Sequence, residues 1–257
     1  MNSFDDLGAA VALPRPVRRV VSLVPSLTEA IAMSCPGVLV GATQWCTHPG
    51  DLEVARVRGT KNPNCREIVS IAPDLVVCNE EENRRIDVER LRDAGIAVWV
   101  TRIRTLDEAF ASMTRLFTVA LNVPAPEWLR QAEIEWEAPP SAPMIDAVIP
   151  IWRDPWMVVG RDTFTGDLAR RLGLRLVHLD RPGRYPTVSL EELTEGVSLA
   201  VLPDEPYRFT ETDGPESFPG LPVALVEGRG LTWYGPSLRT SRGVLTRQLS
   251  RALGNSG

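Results

Sequence analysis

Histidine and cysteine are scarce in this chain of 257 residues, which contains two histidines and four cysteines. The cysteines, Cys35, Cys46, Cys65 and Cys78, all lie in the first third and form no Cys-x-x-Cys pair. We therefore expect reduced thiols, some of them buried as small apolar groups, and no disulfide framework. Cys46 and His48 are two positions apart and could join a metal site, but no second cluster of cysteine and histidine stands near them in the sequence, so a structural zinc has little support.

Several enzyme motifs are also missing. The sequence has no Gly-x-Ser-x-Gly elbow and no His-Glu-x-x-His, and Gly160–Gly166 has neither the Rossmann glycine spacing nor the Lys-Ser/Thr end of a P-loop. With two histidines, acid–base catalysis would depend on carboxylates whose pairing no motif reveals. We expect a protein that is not an enzyme, and an unrecognised metal-dependent hydrolase is the alternative.

Long apolar runs and an excess of basic charge are absent as well. The formal net charge is −5, with 28 basic and 33 acidic residues mixed along the chain, which excludes the electrostatic footprint of a nucleic-acid or anionic-membrane binder. No run approaches the roughly twenty apolar residues of a membrane span. Asp5 and Asp6 stand where a secretory signal needs positive charge, and the apolar stretch Leu7–Leu13 ends at Pro14, so the sequence as written predicts a cytoplasmic protein.

Apolar runs and helical periodicity alternate along both halves of the chain, which predicts an α/β fold with parallel sheets. In the first half, Ser26 with Glu29 and also Asn64 are predicted helix caps. In the second half, Ser189 with Glu192 is another predicted capping box. The predicted strands are 20–24, 38–43, 74–79, 96–101, 147–152, 174–179, 198–202 and 223–226, and the predicted helices begin near residues 26, 64, 83, 165, 189 and 236.

One amphipathic helix, Thr105 to about Asn122, separates the two halves. Thr105 and Glu108 match a capping box, and Glu127–Glu137 predicts a further helical stretch before the Pro139-Pro140 break. We therefore expect two Rossmann-like lobes with central parallel sheets, bridged by one long helix and enclosing a ligand cleft. The predicted domains are an N-terminal lobe at 17–104, a linker region at 105–138 and a C-terminal lobe at 139–257.

The two halves also resemble each other in detail. A strand that runs into a loop ending His48-Pro49 matches one whose loop ends Tyr185-Pro186. The strand ends Asp74–Glu81 and Ser198–Glu205 match in the same way. We interpret this similarity as a weak internal duplication, which would place Glu81 and Glu205 at equivalent positions.

Four stretches of the sequence carry a resemblance to a known family, and they are Arg19–Glu29, Gly41–Pro49, Ile71–Val77 and Leu91–Val100. They resemble the helical-backbone (class III) periplasmic substrate-binding proteins, which deliver vitamin B12, ferric siderophores or haem to ABC importers. The loop after the second strand, with an aromatic, a small residue and then proline, is similar to that of the cobalamin-binding members. The resemblance extends from about Arg18 to Ala252.

The resemblance implies a monomer that holds cobalamin, haem or a ferric siderophore between its lobes, without a resident cofactor or metal. It also implies one surface glutamate per lobe for docking to an ABC permease, and Glu81 and Glu205 match by position. A solvated helix start is the alternative role for Glu80–Glu82. Family members are exported, so the resemblance suggests a periplasmic or cell-surface protein. An intracellular protein that handles corrinoids or metal chelates without a permease is a further alternative.

The candidate ligand residues follow predicted strands. Trp45 and His48 lie in the loop after the second strand, where open α/β sheets bind ligands, and an indole offers a flat surface to a macrocycle. In the second half, aromatic residues beside glycine and proline turns are expected at the cleft, and Arg161 is a candidate polar anchor. Burial in the local core is the alternative role for each of these aromatic residues, which are Trp156, Phe164, Trp233 and Tyr234.

Overall fold

A computed structural model describes residues 3–138 and 144–254, which form two compact units. Among these residues the first unit falls within Met1–Ile103, Asp107–Arg130 and Tyr234–Pro236. The second unit falls within Arg104–Leu106, Gln131–Trp233 and Ser237–Gly257. The predicted Pro139-Pro140 break lies outside the described residues.

The first unit is built on a five-stranded parallel sheet. Apolar side chains such as Val21, Val76 and Val100 form its core together with Ile68 and Leu91 from the helices. The strands of the unit are β1 (Ser3–Phe4), β2 (Ala10–Val11), β3 (Val20–Ser22), β4 (Leu39–Ala42), β5 (Ala55–Arg56), β6 (Arg58–Gly59), β7 (Asn62–Pro63), β8 (Leu75–Asn79) and β9 (Val98–Thr101). Its helices are α1 (Pro25–Ser34), α2 (Cys65–Ile71), α3 (Arg85–Asp93) and, from Asp107, α4 (Leu106–Arg115), which continues as a π-helix (Leu116–Leu121). The next helix, α5 (Glu127–Glu137), belongs to the first unit up to Arg130 and to the second unit from Gln131.

The second unit contains a four-stranded parallel sheet. Val148, Ala200 and Leu202 from these strands pack with aromatic side chains from the loops. The strands are β10 (Ile145–Val148), β11 (Pro150–Trp152), β12 (Met157–Val158), β13 (Leu174–Leu176), β14 (Leu199–Pro203) and β15 (Val223–Val226). The helices are α6 (Phe164–Arg171), α7 (Leu190–Thr194), a short 3₁₀ turn (Pro215–Ser217), α8 (Gly228–Thr232) and α9 (Leu238–Ala252).

Apart from the edge strand β5, the two sheets share one topology. The orders are β5-β4-β3-β8-β9 in the first unit and β13-β10-β14-β15 in the second. In each, the first strand lies inside, the second pairs on one side of it, and the last two strands follow on the other side. This common order supports the duplication inferred from the sequence, and it confirms the predicted α/β class with parallel sheets. Glu81 and Glu205 each follow their strand, β8 or β14, by two positions.

Some local predictions are confirmed and others are wrong. The Asn64 side chain caps α2 by accepting from the Glu67 amide, and Ser189 with Glu192 forms the predicted capping box of α7. Ser26 is not a cap, because Pro25 already occupies the first helical position and places Ser26 inside α1. The predicted strand 147–152 is two short strands of different sheets, β10 and β11.

The long helix is α-helical only to Arg115. Its last six residues adopt the wider π form, and Asn122 ends it in the left-handed conformation with φ of 57°. The start is fixed by a distant residue, since the Leu106 amide donates to Asp167 Oδ2 at 2.9 Å. No helix among the described residues is both long and apolar enough to cross a membrane.

Candidate functional site

The carboxyl edge of the first sheet carries the most exposed tryptophan of the unit. Trp45 lies in the loop after β4 and is 59% exposed. The indole leans against the β6–β7 hairpin, where a methyl group added to Gly59 would lie 3.0 Å from Trp45 Nε1. Glycine at this position therefore allows the edge of the ring to approach the backbone while its surface stays open.

The residue that follows Trp45 is buried and anchors the loop to the core of the unit. Cys46 is fully buried and hydrogen-bonded to the hydroxyls of Thr28 (3.0 Å) and Thr43 (3.1 Å), and burial raises the pKa of its thiol. A thiol held in this way is a core group, so Cys46 is a poor partner for His48 in a metal site. Among the residues that the structure describes, no group of three or more potential metal ligands occurs. His48 is half-buried, and its Nδ1 lies 3.2 Å from the Thr47 hydroxyl.

Two buried asparagines organise the loops at this edge, and sequence reasoning missed their role. Asn83 Oδ1 accepts from the Asn79 amide at 2.9 Å, while Asn83 Nδ2 donates to the carbonyls of Leu23 (3.2 Å) and Thr60 (3.0 Å). Asn79 Oδ1 in turn accepts from the Glu81 amide at 2.8 Å. The two asparagines thus join the ends of β3 and β8 to the β6–β7 hairpin. An asparagine at a strand end, with a second one four residues later, is the local signal that could have indicated this turn.

The two candidate docking glutamates differ in their surroundings. Glu81 is half-buried in the loop after β8, and its carbonyl oxygen accepts from Lys61 Nζ. Glu205 packs against Gly228, where an added methyl group would lie 2.5 Å from Glu205 Cγ, and it accepts from the Thr232 hydroxyl at 3.4 Å. Burial, together with the charge of Asp204, raises the pKa of Glu205.

Trp156 in the second unit is only 8% exposed. Its ring stacks parallel to Phe209 at 6.0 Å and meets Phe218 edge to face at 6.1 Å. The Arg153 guanidinium lies 5.4 Å from the centre of the same ring. The structure therefore places Trp156 in the core of the second unit, which is the alternative that the sequence left open.

The remaining candidates are also mostly buried. Phe164 begins α6, just after Thr163 caps that helix by accepting from the Gly166 amide. Arg161 is exposed in the preceding turn, whereas Trp233 and Tyr234 are buried next to the end of α8. The Arg229 guanidinium lies 5.7 Å from the Trp233 ring centre. Arg161 is thus the one member of this group whose side chain is open to solvent.

The relatives found by comparison with known proteins are binding proteins for small molecules. No family model matches the chain. The chain is 24% identical to the vitamin B12-binding protein of Pectobacterium carotovorum over 94% of its own length and 91% of the relative. It is 31% identical to the vitamin B12-binding protein of Vibrio cholerae, over 44% of the chain and 41% of the relative. An uncharacterised ABC transporter substrate-binding lipoprotein of Bacillus subtilis, YvrC, is 31% identical over 40% of the chain and 34% of the relative.

Solved structures share the fold at low sequence identity. The periplasmic vitamin B12-binding protein BtuF of Vibrio cholerae aligns with a TM-score of 0.75 at 19% identity, over 93% of this chain and 99% of BtuF. The periplasmic haem-binding protein BhuT, solved with two haems, gives a TM-score of 0.76 at 21% identity, over 91% and 98%. Helicobacter pylori CeuE with Ni(II) bound gives 0.81 at 15% identity, over 100% and 91%. The paired parallel sheets match the fold of these solved structures, and the curated relatives that the chain resembles are vitamin B12-binding proteins and an ABC transporter substrate-binding lipoprotein.

Proposed function

We propose that this protein binds a metal-bearing tetrapyrrole or another metal chelate, cobalamin first, as the substrate-binding component of an ABC importer. The names of the relatives support this ligand class, since they include vitamin B12-binding and haem-binding proteins. The observation that carries the proposal is Trp45, a large apolar side chain that is mostly exposed at the carboxyl edge of a parallel sheet. Ligands of open α/β proteins bind at that edge.

The surroundings of Trp45 favour a planar ligand. Its ring edge rests on Gly59, so the side chain loses little further freedom when a flat molecule stacks on it. His48, three residues along the same loop, is the proposed polar contact in the first unit, and Arg161 is the proposed one in the second. The proposed secondary aromatic contacts are four mostly buried side chains that each keep 5–8% of their surface exposed, namely Trp156, Phe164, Trp233 and Tyr234. Binding is stoichiometric, with no chemical turnover.

The permease is the proposed macromolecular partner, with Glu81 and Glu205 as the docking carboxylates. One glutamate follows a strand in each unit, which suits a transporter that presents two basic surfaces. The variants Glu81→Gln and Glu205→Gln are expected to reduce uptake of the ligand by cells while leaving its Kd unchanged. We also propose a monomer that acts in the periplasm or at the cell surface, in place of the cytoplasmic location expected from the sequence. The words "periplasmic" and "lipoprotein" in the names of the relatives support this location.

The test is a titration of the purified protein with cobalamin, cobinamide, haem and a ferric siderophore, followed by absorbance and by the melting temperature. A saturable rise in Tm with one of them is expected, because a ligand that binds only the folded state stabilises it. Trp45→Ala is expected to weaken that binding by about 1–3 kcal/mol. Ile134→Ala, which truncates a similarly exposed side chain on α5, is the matched control. Absence of a saturable change with all four compounds would refute the proposal.

A further inference from the structure

An exposed tryptophan, Trp152, and a partly buried tyrosine, Tyr207, form an aromatic pair at the carboxyl edge of the other sheet. Trp152 ends β11, which follows directly on β10, and Tyr207 lies in the connection that leaves β14. β10 and β14 are parallel neighbours, so both connections emerge at one edge. The two rings meet edge to face, with centres 5.7 Å apart, and Trp152 is 45% exposed.

A chain of polar contacts fixes Tyr207. Its hydroxyl donates to Asp213 Oδ2 at 2.7 Å, and Asp213 is paired with the Arg153 guanidinium. Arg153 also donates to Glu216 Oε1 at 2.5 Å, and Glu216 Oε2 accepts from the Gly214 amide at 2.7 Å. The phenol ring therefore has a defined position even though it lies near the surface.

A layer of buried rings supports the pair from below. Tyr207 packs on Phe209, with ring centres 4.7 Å apart, and Phe209 stacks on Trp156. The Arg153 guanidinium lies 5.4 Å from the centre of the Trp156 ring. The polar contacts of Tyr207 and the buried aromatic rings are therefore in contact through Arg153. An exposed aromatic surface that is already ordered binds a flat ligand with little further loss of side-chain entropy.

The surrounding charge is mostly negative. Asp154, Asp213 and Glu216 surround the single guanidinium of Arg153 within 3.9 Å, which leaves these four side chains with a formal charge of −2. Asp154 is 90% exposed and thus faces solvent. A ligand that carries carboxylates would be repelled at this surface, whereas an uncharged or cationic ligand would not.

We propose that Trp152, braced by Tyr207, is a ligand contact of the second unit, and that the carboxylates around it select a macrocycle with uncharged or cationic substituents over one with carboxylates. This inference rests on the proposed function and names the ligand class within it. An amide-bearing corrin meets the requirement, and haem, with its two propionates, does not.

The experiment measures Kd for cobinamide, haem and haem dimethyl ester with the wild-type protein and four variants. Trp152→Ala is expected to weaken cobinamide binding about tenfold or more. Tyr207→Phe, which keeps the ring and removes its tether, is expected to weaken it about two- to fivefold. Leu190→Ala truncates an exposed apolar side chain of α7 and is expected to leave the Kd unchanged.

A comparison of haem with its uncharged dimethyl ester tests the selection by charge. The wild-type protein is expected to bind haem dimethyl ester several-fold more tightly than haem. In Glu216→Gln, the ratio of the Kd for haem to the Kd for its dimethyl ester is expected to fall about two- to threefold. Hydroxyl-radical footprinting of the wild-type protein, which needs no variant to fold, is expected to show Trp152 protected by cobinamide.

The outcomes separate the two proposals. If the wild-type protein binds none of these compounds, the proposed function fails and this inference fails with it. If cobinamide binds, but Trp152 is unprotected and folded Trp152→Ala keeps a Kd within twofold of wild type, the aromatic contact alone is refuted. Equal affinity for haem and its dimethyl ester would refute the selection by charge.

Discussion

Asn83 is expected to be a principal determinant of the first unit's stability, and Asn83→Ala is the substitution that tests this. The side chain is buried, with 5% of its surface exposed, and it makes three hydrogen bonds to the backbone. These bonds join the turn after β8 to Leu23, at the end of β3, and to Thr60 in the β6–β7 hairpin. Alanine would keep the backbone and remove all three bonds together.

The size of the stability loss follows from the hydrogen bonds that Asn83→Ala removes and from the buried backbone groups that it leaves without a partner. Each lost hydrogen bond costs about 1 kcal/mol net, and a buried group left without a partner costs about 1–3 kcal/mol. The Asn79 amide and the Leu23 carbonyl belong to buried residues, while Thr60 is partly exposed and its carbonyl can turn to water. We therefore expect the free energy of unfolding to fall by about 3 kcal/mol.

Urea unfolding monitored by fluorescence gives the stability change from the shift in midpoint at constant slope. Because the chain forms two compact units, hydrogen exchange of a peptide covering 75–84 reports on the first unit separately. Exchange at Asn79 and Glu81 is expected to accelerate, since their amides lie in the disrupted turn. Asn62→Ala, at an exposed position of the neighbouring hairpin, is the control and is expected to change stability by less than about 0.5 kcal/mol.

A loss below about 1 kcal/mol for Asn83→Ala, with unchanged exchange in that peptide, would refute the reasoning. Such a result would mean that the turn holds its shape through backbone contacts alone. Ligand affinity gives a second check, because the Asn83 side chain holds Thr60 of the β6–β7 hairpin, and the Trp45 indole rests on Gly59 of the same hairpin. We expect the variant to bind the ligand of the wild-type protein more weakly at temperatures where it remains folded.

Three other predictions concern packing and pH. Gly59→Ala is expected to displace the Trp45 ring and shift its fluorescence, and an unchanged spectrum would contradict the contact. Phe117→Ala is expected to destabilise the protein by about 3–5 kcal/mol in urea unfolding, because this buried ring packs edge to face on Trp128; exposed Thr118→Ala is its control. Burial lowers the pKa of His178, so the unfolded state binds the proton first and stability is expected to fall as pH drops below about 6.5. His178→Gln should flatten that part of the pH–stability curve, and an unchanged slope would assign it to other groups.

Trp45 and Trp156 show which part of the candidate site the sequence could predict and which part it could not. Both stand in loops after predicted strands, and both were candidate ligand contacts. The structure leaves Trp45 exposed against Gly59 and buries Trp156 between Phe209 and Phe218. Nothing local separates the two cases, because the rings that cover Trp156 come from a connection more than fifty positions further along the chain.

The sequence by itself determined the alternation of strands and helices, most helix boundaries and the caps at Asn64 and Ser189, because periodicity and capping act over a few residues. Tertiary structure alone decided that Asp167 caps the helix at Leu106. It also decided that Asn83 ties three chain segments together and that Trp152 meets Tyr207. These contacts join residues far apart in sequence, and the order in which the strands pair decides which loops meet at a sheet edge.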